Sequence, residues 1–397
     1  MRGSEMAARA FLRRVAIRNY KSIRHADVTL GPLTVLVGRN GSGKSNFLDV
    51  LDFVATGLQG HLSNAVKWRG GIEALLHRRG SGRAPAFTIE LDMVFGETET
   101  ATFELELAAR EQGGFFLQRE SLTVQSVGEP DAYYTVKAVR GGPISLSSSI
   151  ENMPPASPDR LYLVSAAGFL SFSAVFDFLG SMGSYNLNPG AMRDLHPPEP
   201  ADRLRLDGSN AASVIAWLKA KQPQILDRIN SYLTAIVPEF QQVERIALGS
   251  RETLQFKLGT ETPISFLAES MSDGTLRALG ALLAAFQGTG KPSVVGIEEP
   301  ENSLHPAAAG ALMDAFREAS SKTQILLTSH SPDLLDQVDL ESDRLLAVIS
   351  EGVETRIALI DEASREAIRR NLYSPGELLR QDQLEPDRND LARQDET

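Results

Sequence analysis

Residues Gly38-Arg39-Asn40-Gly41-Ser42-Gly43-Lys44-Ser45 fill the spacing G-x-x-x-x-G-K-[ST] without a gap. In context this octet commits a chain to a strand, a tight loop and a helix in that order. The run Leu33 to Val37 supplies the strand, apolar enough to be buried on both faces. A helix is predicted from near Gly43 to about Gly57. The glycines permit a tight backbone, so backbone N–H groups and the helix N-terminus converge on phosphate oxygens. Lys44 supplies a point charge to β and γ phosphates, and Ser45 can ligate Mg²⁺. Gly38, Arg39, Asn40, Gly41, Ser42, Gly43, Lys44, Ser45 and Asn46 are therefore the expected nucleotide-binding residues. Without nucleotide the same octet is a glycine-rich turn; strand, loop and helix in sequence favour the phosphate loop.

The elements around it predict an α/β fold. Leu12 to Asn19, Ala26 to Leu30 and Leu33 to Val37 read as three strands. From Phe87 to Val136, strand-like runs with turn punctuation predict an antiparallel meander. Between Gly141 and Pro200 the chain turns Ser-, Pro- and Gly-rich, which predicts loops around short helices. Helical spacing returns over Ala211 to Ile236, followed by a strand pair around Arg245 to Leu258. The chain then alternates: helix Gly274 to Phe286, strand Ser293 to Ile297, helix Ala307 to Ala319, strand Gln324 to Thr328. Such alternation argues for parallel strands. No internal repeat and no long heptad run is present.

Composition narrows the function classes. Forty basic against fifty-one acidic residues give a net charge of -11, so any nucleic-acid contact must be a local patch. Two such patches exist, one in the first 25 residues and one formed by Lys67, Arg69, Arg78, Arg79 and Arg83. They can line a DNA groove, or be solvated faces or support for the phosphate site. No apolar run approaches the roughly 20 residues of a membrane-spanning helix, and Met1 to Ala10 has no apolar segment of a signal peptide. With no cysteine, disulfides and thiolate zinc sites are excluded, which fits a cytoplasmic location.

Three distal segments carry the remaining chemistry. Val294 to Ile297 is an apolar strand that delivers Glu298 and Glu299 at its C-terminal end, where ligands sit in open α/β sheets. Two adjacent acids can divide the labour, Glu298 holding the metal and Glu299 polarising an attacking water. Ile325 to Ser329 is another buried strand, ending in His330. A lone histidine is most often a cap or a core residue, but here it follows the acidic strand by one helix and can face a γ-phosphate. Ser270-Met271-Ser272-Asp273-Gly274-Thr275 precedes a helix. In isolation it is an N-cap; its hydroxyl, glycine and helix N-terminus also form a second anion site.

In this order, phosphate loop, Ser-Asp-Gly, acidic strand and terminal histidine resemble ABC-type ATPase heads of the RecF/SMC-like and overcoming-lysogenization-defect (OLD) branch. Ile17-Arg18-Asn19-Tyr20-Lys21-Ser22-Ile23, Glu299-Pro300-Glu301-Asn302-Ser303-Leu304-His305-Pro306 and Thr328-Ser329-His330-Ser331-Pro332 sharpen the likeness. Leu206-Asp207-Gly208-Ser209-Asn210 resembles stand-alone bacterial AAA-type ATPases of this branch. The resemblance covers about residues 12 to 360. It implies a mixed sheet with flanking helices, an antiparallel β subdomain and a loop-rich helical insertion. The expected divisions are 11–138 and 245–362 for the two parts of the head, 139–244 for the insertion and 363–397 for an acidic tail, of which Asp382 to Glu396 reads as a solvated terminus.

Family likeness also implies ATP and Mg²⁺ as cofactors, and a homodimer in which ATP is sandwiched between the phosphate loop of one copy and Ser272 and Gly274 of the other. Lys44, Glu299 and His330 take the catalytic roles, Ser45 and Glu298 the metal, and Lys21 a contact to nucleotide. Glu298 stands where aspartate is usual and Asp273 where glycine is common, and the glutamine-loop residue has no evident counterpart, which implies slow turnover. A transporter ATPase would carry Leu-Ser-Gly-Gly-Gln, and a ring motor an arginine finger and sensor motifs. The favoured expectation is an ATP-gated head serving anti-phage defence or DNA repair by regulating a separate effector, a nuclease by preference. No Asp-x-Asp pair follows His330, so no nuclease activity is expected of the chain itself. A DNA-binding RecF-like repair ATPase is the alternative.

Overall fold

The computed structural model describes residues 10–80, 82–138, 144–157, 160–287 and 293–396, so expectations for residues 1–9 and for the start of the 139–244 segment lie outside it. In chain order the strands are β1 (Ala10–Tyr20), β2 (Ile23–Thr29), β3 (Leu33–Val37), β4 (Arg78–Arg79), β5 (Gly82–Arg83) and β6 (Ala86–Phe95). They continue as β7 (Glu99–Ala109), β8 (Phe115–Ser126), β9 (Ala132–Ala138), β10 (Ile144–Ser148), β11 (Gly183–Tyr185) and β12 (Phe240–Leu248). The last six are β13 (Arg251–Leu258), β14 (Ile264–Leu267), β15 (Val294–Glu298), β16 (Gln324–Ser329), β17 (Arg344–Glu351) and β18 (Glu354–Leu359). Among the described residues thirteen strands form one sheet, in the order β10-β9-β8-β7-β6-β1-β2-β18-β17-β3-β16-β15-β11.

One end of this sheet is parallel and the other is a meander. β11, β15, β16, β3 and β17 run parallel, with Glu298 opposite Thr328 and Ser329 opposite Val37. Glu299, His330 and Gly38, each one residue further on, therefore leave the same edge of the sheet. From β1 through β6 to β10 all pairings are antiparallel. Alternate burial in β6, with Phe87, Ile89, Leu91 and Met93 inside, is the period-two pattern of a sheet covered on one face.

Alternation along β3 divides the core. Leu33, Val35 and Val37 enter the cluster that holds helices Asp273–Phe286 and Ala309–Ser320. Leu36 enters the other cluster with Phe47, Leu48 and Leu51 of helix Lys44–Gln59. That helix buries Phe47, Leu51, Val54 and Leu58, three or four residues apart, and ends at Gly60. Both faces of β3 are thus covered, and the phosphate loop that follows it is rigidly seated.

Two expectations are corrected. The helical run over Ala211 to Ile236 is two helices, Ala211–Lys221 and Pro223–Ile236, because Pro223 has no N–H to continue the first and starts the second. Asp382 to Glu396 is not a solvated terminus. Helices Pro375–Arg380 and Arg388–Glu396 dock with Leu378, Leu384 and Leu391 buried, and Arg356 pairs with Asp395 at 2.7 Å. The 139–244 segment also reaches into the main sheet, contributing edge strands β10 and β11.

Candidate nucleotide site

Backbone conformation builds the phosphate loop. Gly41 and Gly43 have φ of 79° and 103°, left-handed values that favour glycine. A Cβ on Gly43 would lie 2.0 Å from Thr355 Oγ1, and one on Gly38 2.0 Å from Val348 O, so β17 and β18 press directly on the loop. Thr355 Oγ1 donates to Ser42 O at 2.8 Å and lies 2.7 Å from Ser22 Oγ, which accepts from Asn46 Nδ2 at 2.7 Å. Arg39, Asn40 and Gly41 remain exposed. Lys44 is buried, with Nζ donating to Gly38 O at 2.7 Å and Arg39 O at 3.1 Å. Burial pulls its pKa down, opposed by the charges of Glu299, Glu301 and Glu298.

The acids and the histidine meet at the same edge. Ser45 Oγ donates to Glu298 Oε2 at 2.5 Å. Glu299 Oε1 lies 3.1 Å from His330 Nδ1, close enough for an ion pair but not aligned as a hydrogen bond, and its Oε2 accepts from Asn302 Nδ2 at 2.5 Å. Burial, followed by the neighbouring charge of Glu299, raises the Glu298 carboxyl, while the Ser45 hydroxyl opposes the rise. Lys44, Ser45, Glu298, Glu299 and His330 thus lie at one edge of the sheet.

These residues fit a magnesium nucleotide. The first turn of helix Lys44–Gln59 contains no acid and Gly43 offers no capping side chain, so its N–H groups and positive end face the loop. Ser42 Oγ is buried without a partner among the described residues, a donor held ready inside the cradle. Ser45 and Glu298 offer only oxygens, the donor set of a hard cation. Among the described residues no three His, Cys, Asp or Glu side chains form a metal cage. Mg²⁺ would accordingly rest on these two groups plus phosphate oxygens. A cavity of about 540 Å³ opens beside Gly38 to Ser42, walled across from the loop by Val348, Leu379 and Leu384.

The remaining predicted residues are placed less directly. Lys21, in a left-handed turn at φ 49°, bonds Asp49 Oδ2 at 2.5 Å. Asp49 lies one helical turn beyond Ser45 and also accepts from Tyr20 OH at 2.6 Å and Arg69 Nε at 2.7 Å. Ser272 caps its own helix, accepting from Thr275 N at 3.1 Å. Gly274 packs so closely on Ser303 that a Cβ would lie 2.2 Å from its carbonyl oxygen. Arg193 braces this segment through Met271 O and Asp273. Asp49, Thr355 and Arg193 were invisible to motif spacing, because each acts through a partner far along the chain, whereas Glu301 stood inside a recognised segment without a role. Of the basic patches, Arg14 is spent on Asp27, Glu90 and Asp92, and Arg69 on Asp49 and Asp52. Arg24 and Arg83 face Glu354 and Glu73.

Residues 33–336 match the family model described as "AAA domain, putative AbiEii toxin, Type IV TA system". The chain belongs to this AAA-domain family. This family member is 36% identical over 100 residues to the DNA replication and repair protein RecF of Paenarthrobacter aurescens (strain TC1), covering 25% of this chain and 22% of that protein. It is 42% identical over 43 residues to the OLD nuclease of Thermus scotoductus (strain ATCC 700910 / SA-01), covering 11% of this chain and 8% of the nuclease. The matches span less than a quarter of either relative. Its fold is similar to an Smc head bound to the C-winged helix domain of ScpA, with TM-score 0.53 and 13% identity over 89% of this chain and 99% of that one. A second Smc head, with an extended coiled coil and bound to the C-terminal domain of ScpA derived from Pyrococcus furiosus, gives TM-score 0.54 and 12% identity over 91% and 99%. The AAA-domain chain thus has the fold of an ABC-type P-loop head, and over the matched segments it is similar to RecF and to the OLD nuclease. Among its described residues no helix is long and apolar enough to cross a membrane.

Proposed function

We propose that the chain binds and slowly hydrolyses Mg-ATP, pairs with a second copy when ATP is bound, and thereby regulates a separate effector, a nuclease by preference, in anti-phage defence or DNA repair. The observation that carries this reading is the convergence of Lys44, Ser45, Glu298, Glu299 and His330 at one edge of the sheet. Lys44 and the loop N–H groups hold the β and γ phosphates. Ser45 and Glu298 would hold Mg²⁺, which when bound neutralises charge on those phosphates. Glu299 takes a proton from the attacking water, and His330 and Asn302 keep its carboxylate aimed. Ser272 and Gly274 serve the site of the other copy, so ATP favours the paired arrangement and shifts the population toward it.

Phosphate release, nucleotide binding and light scattering test the proposal together. Lys44→Ala is expected to abolish binding, and Glu299→Gln to bind ATP, lose turnover and accumulate as pairs. A Glu299→Gln protein that hydrolyses ATP like wild type removes Glu299 as the base; one that stays monomeric at saturating ATP removes the sandwich. The match with RecF favours a second reading, a DNA-binding repair ATPase. ATP-dependent binding to DNA that weakens steeply with salt would select it, whereas cleavage of DNA by the chain alone would overturn both.

A further inference from the structure

Glu301 is a third carboxylate at the acidic strand end, and the reading above gives it no task. It is nine-tenths buried. Its Oε1 accepts from Ser329 Oγ at 2.5 Å, while its Oε2 is buried with no hydrogen-bond partner among the described residues. Ser329 is fully buried at the end of β16, its hydroxyl accepts from Ser331 N at 3.0 Å, and its carbonyl accepts from Gly38 N at 3.4 Å. His330 is the residue between these two serines. One carboxylate oxygen thereby reaches the turn that carries the histidine and, through Ser329, the start of the phosphate loop.

The other side of Glu301 is the loop that carries Glu299. Leu304 N donates to Glu301 O at 3.0 Å, and Asn302 N to Glu299 O at 3.1 Å. Glu299 and Ser303 adopt φ of 43° and 67°, left-handed values that cost a non-glycine residue about 1 kcal/mol or more. Such a loop keeps its shape only where its surroundings over-determine it, and Glu301 is the residue within it whose side chain bonds the adjacent strand end. Its charge interacts with Lys44 and His330.

We propose that Glu301 is a positioning residue that locks the His330 turn to the Glu299 loop through Ser329, holding imidazole and carboxylate in their working geometry. This rests on the reading of Glu299 and His330 as the hydrolytic pair. The test measures nucleotide affinity with a fluorescent ATP analogue and kcat by phosphate release, on the full chain carrying Glu301→Ala, Ser329→Ala, both together, or Glu301→Gln. Each alanine variant is expected to lose about tenfold or more in kcat with nucleotide affinity held within about threefold, since a charge-assisted hydrogen bond is broken outside the phosphate cradle. The double variant is expected to be no slower than the slower single, because both changes cut one link. Glu301→Gln keeps an acceptor for Ser329 and is expected to recover about fivefold or more of the loss. Additive losses, wild-type kcat in Glu301→Ala, or a fall in affinity that accounts for the fall in rate would overturn the lock. Should Glu301→Ala not fold, Ser329→Ala and Glu301→Gln carry the same readings. Wild type without turnover, or Glu299→Gln with full turnover, sinks the assignment of the site instead.

Discussion

Glu120 in the meander and Glu301 beside the phosphate loop are both carboxylates taken out of water, and burial raises the pKa of both. Glu120 is saturated: it accepts from Tyr134 OH at 2.8 Å, Tyr162 N at 2.6 Å and Leu163 N at 2.7 Å. It thereby ties the start of helix Tyr162–Ala166 to β8. Glu301 accepts from one side chain and leaves an oxygen unspent. A saturated buried acid ties its donors together, whereas a carboxylate oxygen left without a partner costs stability. The difference contrasts a meander carboxylate held by three donors with a loop carboxylate held by one.

The largest expected effect is on the structural side. Glu120→Ala leaves two backbone N–H groups and a phenol without an acceptor, and is expected to destabilise by about 3–5 kcal/mol in denaturant unfolding. The folded fraction should bind ATP as before. A loss below about 1 kcal/mol would break the comparison, because Glu120 would then hold nothing.

A pH experiment sharpens the same point. Burial, opposed by its three hydrogen bonds, raises Glu120 from the ordinary 4.5 to about 7. The folded state then holds this proton more tightly than the unfolded chain, so the carboxyl's contribution to stability falls as pH rises from about 4.5 to about 7, by up to about 3 kcal/mol. Comparing unfolding of wild type and Glu120→Gln across that window should show a steeper fall in wild type, because the other buried carboxyls titrate alike in both. Parallel pH slopes would contradict the assignment.

Smaller effects are expected where the site leans on the fold. Thr355→Val removes a hydroxyl that bonds Ser42 O and Ser22, and is expected to weaken nucleotide binding by about 1 kcal/mol, roughly fivefold, with little change in melting temperature. Calorimetric titration with a non-hydrolysable analogue reads this directly, and a shift in melting without a shift in affinity would move Thr355 to the structural side. Arg193→Ala breaks a partly exposed pair with Asp273, so water screens it and the expected change in stability is below about 1 kcal/mol. A larger loss in thermal unfolding would mean that the Ser272 segment is held chiefly by this arginine.

Local pattern alone determined the phosphate loop, the helix behind it, the buried strands that lead into Glu299 and His330, and the strands of the meander. Eight consecutive residues and a period of two or near four contain all the information such features need. The break at Pro223 was also present in the sequence, and the apolar spacing across it concealed it. Only the tertiary structure decided that Ser329 meets Glu301 across 28 residues, that Thr355 clamps Ser42 across 313, and that Asp49 gathers Lys21, Tyr20 and Arg69. The docked chain end belongs with these, since its acids suggest a solvated tail while Leu378, Leu384 and Leu391, too sparse to mark a buried face, make the contact. The physical reason is that a hydrogen bond between distant residues depends on which strands lie side by side and in what register. Those are properties of the assembled sheet, not of any window of sequence.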